Sequence, residues 1–187
     1  MNLLNKLEGE LALKCARSYA ESAVTHIPLE TEIELPEIFN EKRGVFVTLT
    51  ENNALRGCIG YPYPVISLKD ALKDASVHAA LYDPRFMPVT ENELQEIKIE
   101  VTILTKPEIL SCRAEDRPSN IIVGKHGLIA QMDCYSGLLL PQVAEEYNWN
   151  AEEFLSQTCV KAGMPANSWK SEECIIQTFE GQIFSEI

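Results

Sequence analysis

The sequence has no apolar run approaching the ~20 residues that a membrane-spanning helix requires. Its opening, Met1-Asn2-Leu3-Leu4-Asn5-Lys6, meets Glu8 and Glu10 almost at once, where an export signal needs a basic start and a long apolar stretch. The expected location is therefore cytoplasmic, without membrane attachment. C-x-x-C pairs are missing as well. Cys15, Cys58, Cys112, Cys134, Cys159 and Cys174 are scattered, which argues against a structural zinc site and, in a cytoplasmic setting, for reduced thiols. Neither G-x-G-x-x-G, nor G-x-x-x-x-G-K-[ST], nor G-x-S-x-G occurs, which removes several common nucleotide-binding and hydrolase classes. No metal and no cofactor is expected. Positive charge is scarce: 16 Lys and Arg stand against 28 Asp and Glu, for a net charge of −12. A field of that sign repels phosphate backbones and disfavours broad nucleic-acid binding. Repeats, low-complexity tracts and interdomain linkers are also absent.

What is there is globular. A chain of 187 residues, 45% hydrophobic and 24% charged, matches about one domain, read here as 1–187. Leu4, Leu7, Leu11, Cys15, Tyr19 and Ala23 form a helical stripe that Pro28 ends. Residues 29–43 read as an irregular connection. Two strands, 45–50 and 54–60, flank Glu51-Asn52-Asn53 and predict a hairpin, since asparagine tolerates the left-handed turn geometry. Ser67 and Asp70 predict the start of a helix running to about Tyr82, with Leu68, Leu72, Ala75, Ala79 and Tyr82 inward and Pro84 beyond its end. Residues 97–104 alternate as a half-wet strand. Shorter strands are predicted at Ile121–Val123, Leu128–Met132, Leu138–Leu140 and Cys174–Phe179. Pro141 opens one helix and the Asn150/Glu153 spacing caps another, which Gly163 and Pro165 end. This order gives an α+β fold, with a mostly antiparallel or mixed sheet flanked by helices.

The unusual stretch is Leu55-Arg56-Gly57-Cys58-Ile59-Gly60. Strict strand alternation puts Arg56 and Cys58 on one face, where a guanidinium favours the reactive thiolate. Glycines on both sides of Cys58 point to a bulge, or to close approach by another backbone or a ligand. The plainer alternative is a small buried cysteine, with Arg56 paired to a carboxylate elsewhere. His126, at a turn between predicted strands, is a candidate base or proton shuttle for Cys58, or simply a turn histidine bonded to backbone. Asp74 and His78, one turn apart, have the spacing to bind metal or hold an imidazole tautomer, but they read as a surface hydrogen bond, since a metal site needs further ligands. Asp83 and Arg85 read as an ion pair at a helix exit, placed so that they could line the same groove as Cys58.

These residues identify a family resemblance. Leu55-Arg56-Gly57-Cys58-Ile59-Gly60 is similar to the hallmark of the AMMECR family, named for the AMME-syndrome candidate region. So are Asp83-Pro84-Arg85-Phe86-Met87-Pro88 (with Pro88 where serine is usual), His126-Gly127, Leu139-Leu140-Pro141-Gln142-Val143-Ala144 with Trp149, and Cys159 to Pro165. The resemblance implies an α+β fold with a larger and a smaller lobe and the hallmark near a groove between them. It implies no established reaction, and it implies association with Memo-like and radical-SAM-like proteins. Two functions stay open. In one, Cys58 performs thiol chemistry with Arg56 and His126, on a ligand or substrate held by Gly57, Ile59, Gly60, Asp83, Arg85 and Gln142. In the other, the same groove is a non-catalytic module that binds a small molecule or protein partner, with Arg56 and Arg85 reading its carboxylate or phosphate.

Overall fold

The computed structural model describes residues 3–29 and 33–186. The chain divides into two compact units: a larger one of Met1–Leu104 with Gln182–Ile187, and a second of Thr105–Gly181.

In the first unit, helix α1 (Lys6–Thr25) starts at a reciprocal cap in which Asn5 and Glu8 each bind the other's backbone N–H. It stops at His26, which is left-handed at φ 57°. Strands β1 (Gly44–Glu51) and β2 (Ala54–Tyr61) form the expected hairpin around Asn52 and Asn53, both at positive φ. Helix α2 (Leu68–Leu81) begins where Ser67 accepts from Asp70 N–H. Strand β3 (Ile97–Leu104) pairs antiparallel with β1, opposite the β2 side, so β2 is an edge. Val45, Val47, Leu49, Ile97, Ile99, Val101 and Ile103 are buried, in one core cluster with α1 and α2.

The second unit holds β4 (Glu108–Ile109), β5 (His126–Met132), β6 (Tyr135–Leu139), α3 (Pro141–Glu146) and α4 (Ala151–Lys161). Strand β7 (Ile175–Ser185) pairs with β4 and β5, and β6 flanks β5, all antiparallel. Its core gathers Leu128, Ala130, Phe154, Leu155, Trp169 and Ile176. The fold is α+β, as the element order requires. Among the described residues, no helix is long and apolar enough to cross a membrane.

Several local readings need correction. Ile121–Val123 is no strand: a 3-10 segment, Ala114–Asn120, leads into a turn in which Ile122 C=O accepts from Lys125 and His126 N–H. Gly124 at φ 82° completes that turn, so three branched residues in a row do not make a strand here. The inner face of α1 is built from Gly9, Ala12, Cys15, Ala16, Ala20 and Val24, while Leu7 is 75% exposed. Small residues win that face because α1 packs closely on α2, whose own buried face is rich in alanine. Tyr82 lies past the end of α2 and is exposed. The connection before β1 carries a 3-10 turn, Glu37–Asn40, that buries Phe39, and it also buries Arg43; residues 30–32 of it lie outside the described residues. Strand β7 runs well past Phe179.

Leu72 is fully buried. Leu72→Ala is therefore expected to cost about 2–5 kcal/mol in urea unfolding of the full chain. Leu7→Ala should stay within about 0.5 kcal/mol of wild type.

Candidate functional site

A single irregularity orients the hallmark. From the two-residue turn, Glu51 pairs with Ala54 and Thr50 with Leu55; Leu49 then pairs with Gly57, which leaves Arg56 as the extra residue of a β-bulge. Paired residues share a face of the sheet, and a one-residue slip exchanges the faces. Leu49 is buried against the helices. Without the bulge, Arg56 and Cys58 would follow it inward. With the bulge, Gly57 and Ile59 point inward and Cys58 turns to the opposite face beside Thr48.

Gly57 is required at its position. A Cβ there would lie 2.2 Å from the backbone oxygen of Ala79 in α2. Gly60 is equally restricted, since its Cβ would meet the backbone oxygen of Val45 at 2.2 Å. Ile59 is half-buried against the core. The glycines thus let α2 and β1 close on the strand that carries Cys58.

Cys58 is half-buried and bound on three sides. Its N–H donates to Asp83 Oδ2 at 2.8 Å, and its carbonyl accepts from Arg85 Nη2 at 3.1 Å. Both backbone groups therefore point away from β1, which makes Thr48 and Cys58 a pair without ladder bonds, the kind whose side chains come closest. Accordingly, Thr48 Oγ1 donates to Cys58 Sγ at 3.3 Å.

Asp83 is the hub. Its buried carboxylate also accepts from Arg85 N–H, Nε and Nη2, at 3.1, 2.9 and 2.7 Å. The Arg85 side chain holds the Asp83 carboxyl far below its usual range, against the opposing effect of burial, and the Cys58 and Arg85 N–H groups add to the effect. Arg85 is raised in turn by Asp83, and the Cys58 thiol acts on it as well. The guanidinium that binds the Cys58 peptide is thus that of Arg85, which also lies 5.4 Å from the Phe86 ring centroid. Arg56, expected beside the sulfur, has turned to the segment after α2. Its Nε donates to Glu93 Oε1 at 2.7 Å, and Nη1 and Nη2 donate to the carbonyl oxygens of Met87 and Pro88. Pro88 therefore contributes backbone, for which a side-chain hydroxyl is unnecessary. Arg56, followed by the Thr90 N–H and hydroxyl, lowers the Glu93 carboxyl to about 2.

The other candidates are carried by other elements. His126 opens β5 in the second unit, where its Nδ1 accepts from Ile122 N–H at 3.2 Å. Burial lowers its pKa and Lys125 adds to that, against Glu180. Gln142 is half-buried in the first turn of α3, also in the second unit. His78 Nδ1 meets both Asp74 O at 2.9 Å and Asp74 Oδ2 at 3.2 Å, so this nitrogen carries the hydrogen. Tyr61 Oη donates to the same carboxylate at 2.6 Å. Among the described residues, no group of three or more His, Cys, Asp or Glu is placed to hold a metal. Thr48 and Glu93 are the site residues that sequence reasoning missed. Counting back from the hairpin turn pairs Thr48 with Gly57, and only the bulge moves it to Cys58.

An α+β fold with a thiol, a buried carboxylate and an arginine joined at an edge strand defines the class. The chain belongs to the AMMECR1 family, whose model matches residues 13–184. It is 51% identical to a protein of Methanosarcina barkeri over 98% of this chain and 93% of that one. It is 44% identical to a protein of Methanocaldococcus jannaschii over 100% and 94%. The crystal structure of an uncharacterised protein from Pyrococcus horikoshii is similar at TM-score 0.88 and 42% identity, covering 98% of this chain and 93% of that one.

Both lowered carboxyls link the site to pH. A group whose folded pKa is depressed lends stability above its unfolded value and loses it as pH falls through the folded one. With unfolded values of ~3.9 and ~4.3, the contributions of Asp83 and Glu93 are complete above about pH 5. Asp83→Asn is expected to lose about 1–3 kcal/mol at pH 7, measured by urea unfolding. Its deficit against wild type should narrow as pH falls below about 4. The deficit of Glu93→Gln should narrow between ~4.3 and about 2.

Proposed function

We propose that Cys58 is the working group of a thiol-bearing ligand or substrate site, with Thr48 and Arg85 as its supports. The observation that carries this reading is the bulge, which turns the sulfur away from the core and sets it beside a hydroxyl donor. A hydroxyl that donates to sulfur stabilises charge on it, and a nearby cation acts in the same direction. Asp83 fixes the Cys58 backbone and the Arg85 guanidinium together, so sulfur and cation keep a constant relation. Gly57, Ile59 and Gly60 set the shape of the strand. In this reading Arg56 braces the segment after α2. The site works in the cytoplasm on a small molecule or on a partner's product. Memo-like and radical-SAM-like proteins are the partners that the family resemblance implies.

One observation favours the alternative, a non-catalytic recognition surface. Arg85 is 54% exposed, and Met87 and Tyr82, on the same short segment, are 80% and 62% exposed. A cation amid exposed apolar side chains suits a partner with an acidic group.

Alkylation by iodoacetamide, mapped by mass spectrometry, tests the thiol reading. Cys58 is expected to react faster than the exposed Cys134, and Thr48→Val and Arg85→Lys should each slow Cys58 severalfold while Cys134 stays unchanged. A Cys58 that reacts no faster than Cys134, or is indifferent to both substitutions, overturns it. Cys58→Ser separates the readings: function lost with binding retained favours chemistry, and function retained favours recognition.

A further inference from the structure

The larger unit holds a cavity that shares no residue with the Cys58 network. It has a volume of about 810 Å³ and lies where α1 and α2 meet the connection that precedes β1. A smaller cavity of about 320 Å³ adjoins it and reaches Tyr61 on β2; the two share Asp70, Lys73 and Val77. Volumes of ~300–1,000 Å³ are typical of small-molecule sites.

The lining has both a charged and an apolar part. Lys69, Lys73 and Val77 stand at i, i+4 and i+8 on α2, one stripe running about 12 Å along the helix. Its cationic end lies in the first turns of α2, where the backbone dipole also favours an anion. With Val77, Ala23 of α1 and Leu29 and Leu35 of the connection supply apolar wall. Three carboxylates border the two cavities. Asp70 accepts from the Ser67 hydroxyl, and Asp74 from the Tyr61 hydroxyl and His78 Nδ1, while Glu34 is exposed. Neither Lys69 nor Lys73 forms an ion pair among the described residues, unlike Lys6 and Lys125. The acids on α2 thus have protein donors, and the two ammonium groups keep theirs for a ligand.

We propose that this cavity binds an amphiphilic organic anion, with a carboxylate or phosphate head on an aliphatic body. The head takes the ammonium groups of Lys69 and Lys73, and the body lies against Val77, Ala23, Leu29 and Leu35. An ammonium is a point charge without the fork of arginine, so it accepts a head of either shape. Burial of the aliphatic body supplies most of the affinity, and the lysines select the sign of the head and the direction of entry. The net charge of −12 gives such a ligand no long-range attraction, so discrimination rests on these contacts.

Calorimetric titration of the full chain tests this, with decanoate, decyl phosphate, decanol, decyltrimethylammonium and inorganic phosphate, each amphiphile below its micelle concentration. Decanoate, decyl phosphate or both should bind at one site per chain and raise the melting temperature; whichever binds names the head. Decanol and inorganic phosphate each carry half of the chemistry and should bind severalfold more weakly. Lys69→Gln with Lys73→Gln should weaken the anion about tenfold and remove most of the salt dependence of its binding. Both side chains are exposed, so the melting temperature without ligand should hold. Ala23→Phe, which fills the cavity from α1, should weaken binding as well. Neither variant should alter the alkylation rate of Cys58, which keeps this site distinct from that one. Three results overturn the proposal: neither anion binds, decanol or decyltrimethylammonium binds as tightly as the anions, or the paired lysine substitutions leave affinity unchanged.

Discussion

The carboxylate of Asp83 is the contact on which the rest of the hallmark region depends. It lies just past the end of α2, buried, and holds the Cys58 backbone and three donors of Arg85. Removing a charge from water is expensive unless its acceptor sites are filled, and here they are. The carboxylate thereby joins three pieces of chain: the end of the helix, the strand that carries the thiol, and the turn that carries the cation. The Arg56–Glu93 pair does similar work a few residues on, bracing the same excursion between α2 and β3.

The bulge and the glycine beside it form one device. The extra residue at Arg56 reverses which side of β2 faces the helices, and Gly57 then meets α2 at a point where no side chain fits. Were either absent, the sulfur would sit in the core or α2 would stand off the sheet. Two glycines in a short strand, each costly in conformational entropy, are explained by these steric demands. The hallmark is thus first a packing solution, and its reactive potential follows from the face that the packing exposes.

Much of this was legible in the sequence because it depends on neighbouring residues. The caps at Ser67 and Asn150, the Asn52-Asn53 hairpin and the first-turn Pro141 follow from local backbone chemistry, and all are present. What was illegible depends on chain that is distant in sequence. That Arg56 pairs with a distant carboxylate was open as the plainer alternative; that the carboxylate is Glu93, 37 residues away, was not readable from its neighbours. Leucines at helical spacing mark a plausible inner face of α1, yet alanines occupy it, because the distance between α1 and α2 was settled by a partner helix that the α1 sequence does not contain. Asp83 and Arg85 were legible as an ion pair; their hold on the Cys58 peptide was not.

Strand β2 borders its unit's sheet, and a border strand ordinarily leaves a row of peptide groups open to any passing strand. At Cys58 those groups are already taken by side chains, which imitate the neighbour that a sheet would otherwise recruit. An incoming strand would have to displace a neutralised pair of opposite charges, and it carries no charge of its own to replace them. The rim of the sheet is thus sealed against growth by additional strands at the residue whose sulfur it leaves within reach.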